Sequence, residues 1–389
     1  MSADVDPQAL RRILVVKLAD IGDLLTATPA LRALRRRYPT AQITALVTPH
    51  TASLLIGNDA VDHTMLFPKA VFDDPRGLVR PWRAARAVAL VAGLAARLRR
   101  EAFDAVALLH HLTTPWGTSK YRALVRASGA RVRAGLDNGA GGFLTHRAQD
   151  RGFGARHEVD YWLDTVTALG ATVSAPALEL HLTAEELAAA DRRWSSLGLD
   201  GRSVVALHPG SGAFSRAKRW PVARFAAVGD ALALDGLAVA VVGGPEEASL
   251  AAQVRSAMAM PSVPLLGIPT PRDLAAALRR CTLFVGNDSG VMHCAATMGV
   301  PVVAVFGLSN HRAWGPYPPD RHRVVRLDLP CSPCLYHGFG LGTPEGCPAR
   351  MCLNELEPNV VLAAARELLR STERPSIRPV VQSSGYVGG

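Results

Sequence analysis

The sequence predicts an α/β protein of two domains, each an open parallel sheet covered by helices, with a cleft between them. Three observations carry this. Short apolar runs alternate with helical segments along most of the chain. The runs are continuous rather than alternating, as expected of strands buried on both faces. An irregular stretch at 171–182, holding Pro176, divides the chain into halves of similar size.

The elements follow in order. Residues 13–17 read as the first buried strand. Thr28-Pro29 then opens a helix, with threonine as N-cap and proline in its first turn, and Pro39 stops it. Strands follow at 42–47 and 105–109, with arginine- and alanine-rich helices at about 82–100 and 119–128. Beyond the break, a helix at 184–197 leads into strands at 204–207, 238–242, 283–285 and 302–306. Helices near 221–234, 245–258, 271–280 and 292–298 alternate with them. The expected organisation is a polar leader (1–11), a first domain (12–175), a second domain (176–357), a closing helix (358–370) and a disordered tail (371–389).

The net charge of +10 comes almost entirely from arginine, for only Lys17, Lys69, Lys120 and Lys218 are lysines. Such an excess suits a polyanionic partner: nucleic acid, an anionic membrane surface or a phosphorylated glycolipid. No nucleic-acid-binding signature accompanies it, so nucleic acid is not the expected partner. Residues 1–12 lack the basic and apolar regions of a signal peptide, and the apolar stretch 84–98 is interrupted by Arg86 and Arg97. The expectation is a soluble cytoplasmic protein. Of six cysteines, Cys281 and Cys294 lie in apolar segments, and Cys331, Cys334, Cys347 and Cys352 cluster. Their spacing is compatible with a structural tetrahedral zinc site; free thiols in a reducing compartment are the alternative.

Chemistry is expected in the loops after strands. After the first strand, Gly22 permits close approach of another molecule, and Asp23 is either a helix cap or a general base aimed into the cleft. Asp20 stands three residues before it. After the 204–207 strand, His208-Pro209-Gly210-Ser211-Gly212 offers backbone N–H groups to phosphate, with Lys218 as a clamp. After 283–285, Asp288, Ser289, Gly290, Val291 and His293 stand at the start of a small-residue helix whose positive end suits a diphosphate. Glu246, at another helix start, could take a ribose hydroxyl pair.

Taken in order, Ile21-Gly22-Asp23 with Thr28-Pro29, His208-Pro209-Gly210 with Lys218-Arg219-Trp220-Pro221, and Asn287 to His293 with Trp314-Gly315-Pro316-Tyr317 resemble the motifs of glycosyltransferase family 9, the bacterial heptosyltransferase family. The resemblance runs over about residues 12–370 and implies a GT-B fold: two Rossmann-like domains with parallel sheets facing a central cleft, acceptor site in the first, nucleotide-sugar site in the second. It implies inverting transfer of a sugar from an ADP-heptose-type donor to a lipopolysaccharide-core or related anionic glycan acceptor. The only Asp-x-Asp triplet of the kind that holds a divalent cation is Asp4-Val5-Asp6, in the polar leader, and Lys218 with the helix start near Val291 can supply positive charge instead, so no cofactor or metal is expected. Asp23 then matches the catalytic base and Lys218 the catalytic phosphate-binding lysine. Glu246 matches the ribose-binding glutamate. His208, Gly210, Ser211, Gly212, Asp288, Ser289, Gly290, Val291 and His293 match the donor site. Asp20 departs from the family pattern and, with Gly22, Lys120 and Arg122, is assigned to the acceptor side. Such an enzyme would meet its acceptor at the cytoplasmic face of the inner membrane, as a peripheral protein. The same chemistry with another nucleotide sugar and a capsule, O-antigen or natural-product acceptor, and a nucleotide-sugar epimerase, are the alternatives.

Overall fold

The computed structural model describes residues 10–68, 81–212 and 214–372. The leader up to residue 9, with its Asp4-Val5-Asp6 triplet, Lys69 and the tail beyond 372 lie outside the described residues. The first sheet holds β1 (Arg12–Lys17), β2 (Gln42–Val47), β3 (His63–Leu66), β4 (Ala105–Leu108), β5 (Val132–Asp137) and β6 (His146–Gln149). The second holds β7 (Val204–His208), β8 (Ala238–Val242), β9 (Ser262–Leu265), β10 (Leu283–Asn287), β11 (Val302–Val305) and β12 (Arg323–Val325). Every pairing within them is parallel, in orders β3-β2-β1-β4-β5-β6 and β12-β11-β10-β7-β8-β9. Counted from β7, the second order is the same as the first. Each sheet therefore reverses between its first and fourth strands, where α/β sheets open a crevice.

The helices are α1 (Ile21–Arg37), α2 (Pro81–Arg100), α3 (Pro115–Ala127), α4 (Glu158–Thr167), α5 (Ala184–Ser196), α6 (Val222–Leu234), α7 (Ala248–Ala257), α8 (Pro271–Leu278), α9 (Gly290–Thr297), α10 (His311–Trp314), α11 (Met351–Asn354) and α12 (Pro358–Thr372). Val361, Ala365 and Leu368 of α12 are buried in the core of the second sheet with Phe225 and Leu232 of α6. Another core cluster passes from Ile13, Leu24 and Trp162 in the first half to Met292, Cys294 and Phe306 in the second. The two halves thus share buried apolar surface.

One helix start is corrected. α1 begins at Ile21, and Pro29 lies inside it. An interior proline cannot donate to the carbonyl four residues back, here that of Leu25. The Thr28 hydroxyl donates to that carbonyl instead, at 2.7 Å, and accepts from the backbone N–H of Glu179 at 2.9 Å. Thr28-Pro29 is thus a repaired break in a helix. Asp23 accordingly sits in the first turn of α1, with Asp20 at the N-cap position.

Thr28→Val keeps the shape and removes both bonds. It should cost about 1–3 kcal/mol, as other buried groups left unpaired do, measured by chemical denaturation of the two proteins; equal unfolding midpoints would refute the repair.

Candidate functional site

The loops at both switch points meet in one cavity of about 280 Å3 between the sheets. The first domain lines it with Asp20, Ile21, Gly22, Asp23 and His50. The second adds Ser211, Gly212, Lys218, Asp288, Ser289, Gly290 and His293, with Phe214, Trp314 and Tyr336 as an aromatic wall. Tyr336 lies 4.5 Å from Trp314 and 6.2 Å from Phe214, ring centre to ring centre.

Two helix starts close the floor. α1 comes from one domain and α9 from the other, and both present the positive end of a helix to the cavity. They touch at glycines. A Cβ on Gly22 would stand 2.5 Å from Cδ2 of His293, and one on Gly290 would stand 3.1 Å from Cβ of Ile21. The His293 ring is buried and its Nδ1 has no hydrogen-bond partner among the described residues. Burial drives its pKa down to about 4, so the imidazole is neutral at neutral pH.

The polar groups are tightly held. Lys218 Nζ lies 3.1 Å from Asp288 Oδ2, at the mouth of the α9 start. Asn287, at the end of β10, donates to the carbonyls of Pro209 and Gly210 and accepts from Trp220 N–H, pinning the loop after β7. Ser289 caps α9 by accepting from Met292 N–H and lies 3.3 Å from His208 Nδ1. In the first domain, Asp23 Oδ1 is 3.8 Å from Nζ of the buried Lys17, whose ammonium also sits 3.8 Å from the centre of the Trp162 ring. Burial lowers the pKa of Lys17, and Asp23 and then Glu158 oppose that shift.

The structure brings only some of the expected residues to the cavity. A carboxylate not expected there engages the loop after β7: that of Glu247, next to Glu246. It accepts from the N–H groups of Ser211 at 2.9 Å and Gly212 at 3.0 Å, and its Oε2 lies 3.1 Å from His208 Nε2. Burial works to raise its pKa, but His208 and the backbone N–H groups of Gly212 and Gly244 hold it down to about 2. Glu246 is exposed and outside the cavity lining. The loop N–H groups expected to face phosphate are thus taken by a protein carboxylate. His208 and Gly210 lie beneath the cavity rather than on it, and a Cβ on Gly210 would collide with the Glu247 carboxylate. Val291 lies outside the lining. Lys120 and Arg122 also lie away from the cavity, on α3, where their cationic ends sit near the rings of Tyr121 and Phe143. His50, Phe214 and Tyr336 were not singled out from the sequence, because no fixed spacing from the loop motifs marks them.

Behind β4, His111 lies between two buried carboxylates, with Nδ1 2.9 Å from Asp150 and Nε2 3.2 Å from Glu158. The four clustered cysteines are free thiols, and Cys352 lies against Gly307 and Cys334 against Leu308. Cys334 N–H donates to the Leu308 carbonyl, Ser332 Oγ to that of Gly307, and Arg350 N–H to Cys347 Sγ at 3.3 Å. Among the described residues, the group bringing three potential metal-ligand atoms within 4.8 Å of one another is Asp59, Glu179 and His181. Its two carboxylates already bind the Arg32 guanidinium.

The sequence profile of glycosyltransferase family 9 (heptosyltransferase) matches residues 91–339, more than half of the chain. The lipooligosaccharide heptosyltransferase 2 of Campylobacter jejuni is 28% identical over 178 residues, 44% of this chain and 53% of that protein. The chain thus matches about half the length of that relative. The lipopolysaccharide heptosyltransferase 3 of Escherichia coli K12 is 26% identical over 365 residues, 91% of this chain and 94% of that one. The solved structure of the E. coli ADP-heptose lps heptosyltransferase II superposes with a TM-score of 0.66 at 21% identity, covering 93% of this chain and 99% of that one. The chain belongs to glycosyltransferase family 9, it is a glycosyltransferase, and its fold is GT-B.

Two outcomes follow from the packing. Gly22→Ala should hold the two domains apart. A displacement of about 1 Å between reacting groups costs on the order of 10²-fold in rate, so transfer should fall by about that much with little loss of thermal stability; unchanged turnover would mean that the helix starts part during the reaction. The second concerns His111. Burial opposes its protonation, yet Glu158 and Asp150 push its pKa up from 6.5 to about 9. A pKa raised in the folded state gives stability that is fully present below the unfolded value and is lost as pH rises through the folded one. Stability should therefore decline between pH 6.5 and about 9, and His111→Gln should flatten that slope in urea titrations across the range.

Proposed function

We propose that this glycosyltransferase moves heptose, with inversion and without a metal, from an ADP-heptose-type donor to an anionic lipopolysaccharide-core acceptor. One observation carries the reading. Asp23 enters the cavity from one domain, and Lys218 with the α9 start enters it from the other. Inverting transfer needs a base on the acceptor side and positive charge on the leaving-group side, on opposite faces of one sugar. The names of the relatives support the donor and acceptor classes.

In this mechanism the acceptor hydroxyl hydrogen-bonds to the Asp23 carboxylate. It passes its proton there as its oxygen forms the bond to the anomeric carbon. The bond from that carbon to the diphosphate breaks on the far side, and the electron pair leaves with the diphosphate. The α9 start and Lys218 take up the charge that develops there. Lys218 is engaged by Asp288, so the arriving diphosphate competes with that carboxylate for the ammonium. The buried Lys17 places its amine 3.8 Å from the Asp23 carboxylate. The wall of Phe214, Tyr336 and Trp314 offers ring faces to a base or sugar. Asp20, exposed at the rim, is assigned to orient the acceptor.

Asp23→Asn should fold, bind ADP and lose transfer by roughly 10²–10⁴, the contribution of a general base. Asp20→Asn should lose less. Rates with the purified variants decide the matter: a near-wild-type Asp23→Asn beside an inactive Asp20→Asn would move the base to Asp20.

The leaving group is assigned to Lys218 and helix N–H groups, so transfer should continue in EDTA. Strict dependence on added magnesium or manganese would overturn the metal-free part of the proposal. Zinc, where the four cysteines hold it, would be structural, and elemental analysis of freshly purified protein tests that separately.

A further inference from the structure

The surface of α2 is unusual for a helix of a soluble domain. Val88 is 67% exposed, Leu90 38% and Val91 41%, while Leu98 is buried against the sheet. Trp116, in the first turn of the neighbouring α3, is 67% exposed, and Leu66, at the end of β3, is 52% exposed. Between α2 and α3 opens a second cavity of about 270 Å3, lined by Phe67, Val91, Leu94, Leu98, Trp116 and Leu124 among others. It is almost wholly apolar. Large side chains left in water on adjoining elements mark an interaction site.

The charges identify the partner. Every charged residue of α2 and α3 is basic: Arg83, Arg86, Arg97, Arg99 and Arg100 on one, Lys120, Arg122 and Arg126 on the other. A second copy of the chain docked through this face would bring like charges together. An anionic lipid bilayer satisfies both features at once, with apolar side chains sinking to the acyl boundary and arginines meeting the headgroups. An exposed tryptophan next to cationic side chains is the composition of such an interface.

We propose that the α2–α3 face is a membrane-docking surface that binds anionic bilayers. α3 begins directly after the loop that follows β4, at the cleft side of the sheet. Its Tyr121 ring stacks on His110 at 4.5 Å, and His110 Nε2 accepts from the backbone N–H of Leu18, two residues before Asp20. Docking through α2 and Trp116 therefore sets the acceptor side of the cleft against the lipid surface, where a glycan on a lipid anchor would reach it. The proposal deepens the reading of a lipid-borne acceptor and is tested without any sugar.

The full-length protein is sedimented with phosphatidylcholine vesicles, with and without phosphatidylglycerol. Binding should require phosphatidylglycerol and weaken as salt rises. The combined substitution Val88→Ser, Val91→Ser and Trp116→Ser should lower the bound-to-free ratio by about tenfold or more, with circular dichroism and melting temperature as checks on folding. Trp116→Ser alone, at an exposed position, is the milder variant should the triple one misfold, and should weaken binding severalfold. Variants that bind as the wild type does would overturn the proposal. So would a wild-type dimer in sedimentation velocity that the triple variant converts to monomer, since the face would then join two copies. Loss of transfer in Asp23→Asn with vesicle binding intact, or the reverse, separates this proposal from the catalytic one.

Discussion

The architecture turns on the contact between two helix starts. α1 and α9 belong to different sheets, yet Gly22 lies against His293 and Gly290 against Ile21. Only glycine leaves room for this approach, and only the approach brings the loops after β1, β7 and β10 to one cavity. Other contacts between the halves stand around it. Arg272 of α8 is buried, ion-paired with Glu186, and donates to the carbonyls of Ser53 and Ile56. The 152–157 segment meets the second domain through Phe153 N–H to the Gly338 carbonyl and His157 Nε2 to the Gly315 carbonyl.

Two ion clusters flank that contact, and each is nearly closed on itself. On one side Lys17 lies beside Asp23, while His111 lies between Asp150 and Glu158. On the other, Lys218 pairs with Asp288, and Glu247 draws His208 and the loop N–H groups together. Such pairs contribute little net stability once desolvation is counted, but they fix geometry, because a single misplaced member leaves a buried charge unpaired. The cavity is thus surrounded by side chains already committed to partners. A substrate has to trade contacts there rather than fill an empty cradle.

The sequence revealed the strands that are buried on both faces, because their apolar runs are continuous: β1, β2, β4, β7, β8, β10 and β11. It did not reveal β3, β6, β9 or β12, which sit at sheet edges, or β5, one strand in from an edge, because their sequences (HTML, HRAQ, SVPL, RVV and VRAGLD) are short or interrupted by polar residues, glycine or proline. The start of α1 was misplaced because Thr28-Pro29 has the local chemistry of a helix opening, and the hydroxyl that rescues the helix acts partly through Glu179, 151 residues away. The cavity lining was legible where residues sit in contiguous motifs, as with Asp23, Lys218, Asp288, Ser289, Gly290 and His293. It was not legible where residues arrive from separate segments: His50, Phe214 and Tyr336 have neighbours in space and not in sequence. Glu246 and Glu247 are adjacent carboxylates at a helix start, and only the direction of the side chain, set by burial, distinguishes them.

The interlock of Glu247 with the loop after β7 constrains which substitutions this chain tolerates. The carboxylate occupies the volume a side chain at position 210 would need, while supplying the acceptor for two amides beyond it. Neither position is free to drift alone. A larger residue at 210 has to wait for Glu247 to shorten, and shortening Glu247 strands Ser211 and Gly212. The two sites, 37 positions apart along the chain, are therefore coupled in this fold, and a substitution at one has to be answered at the other.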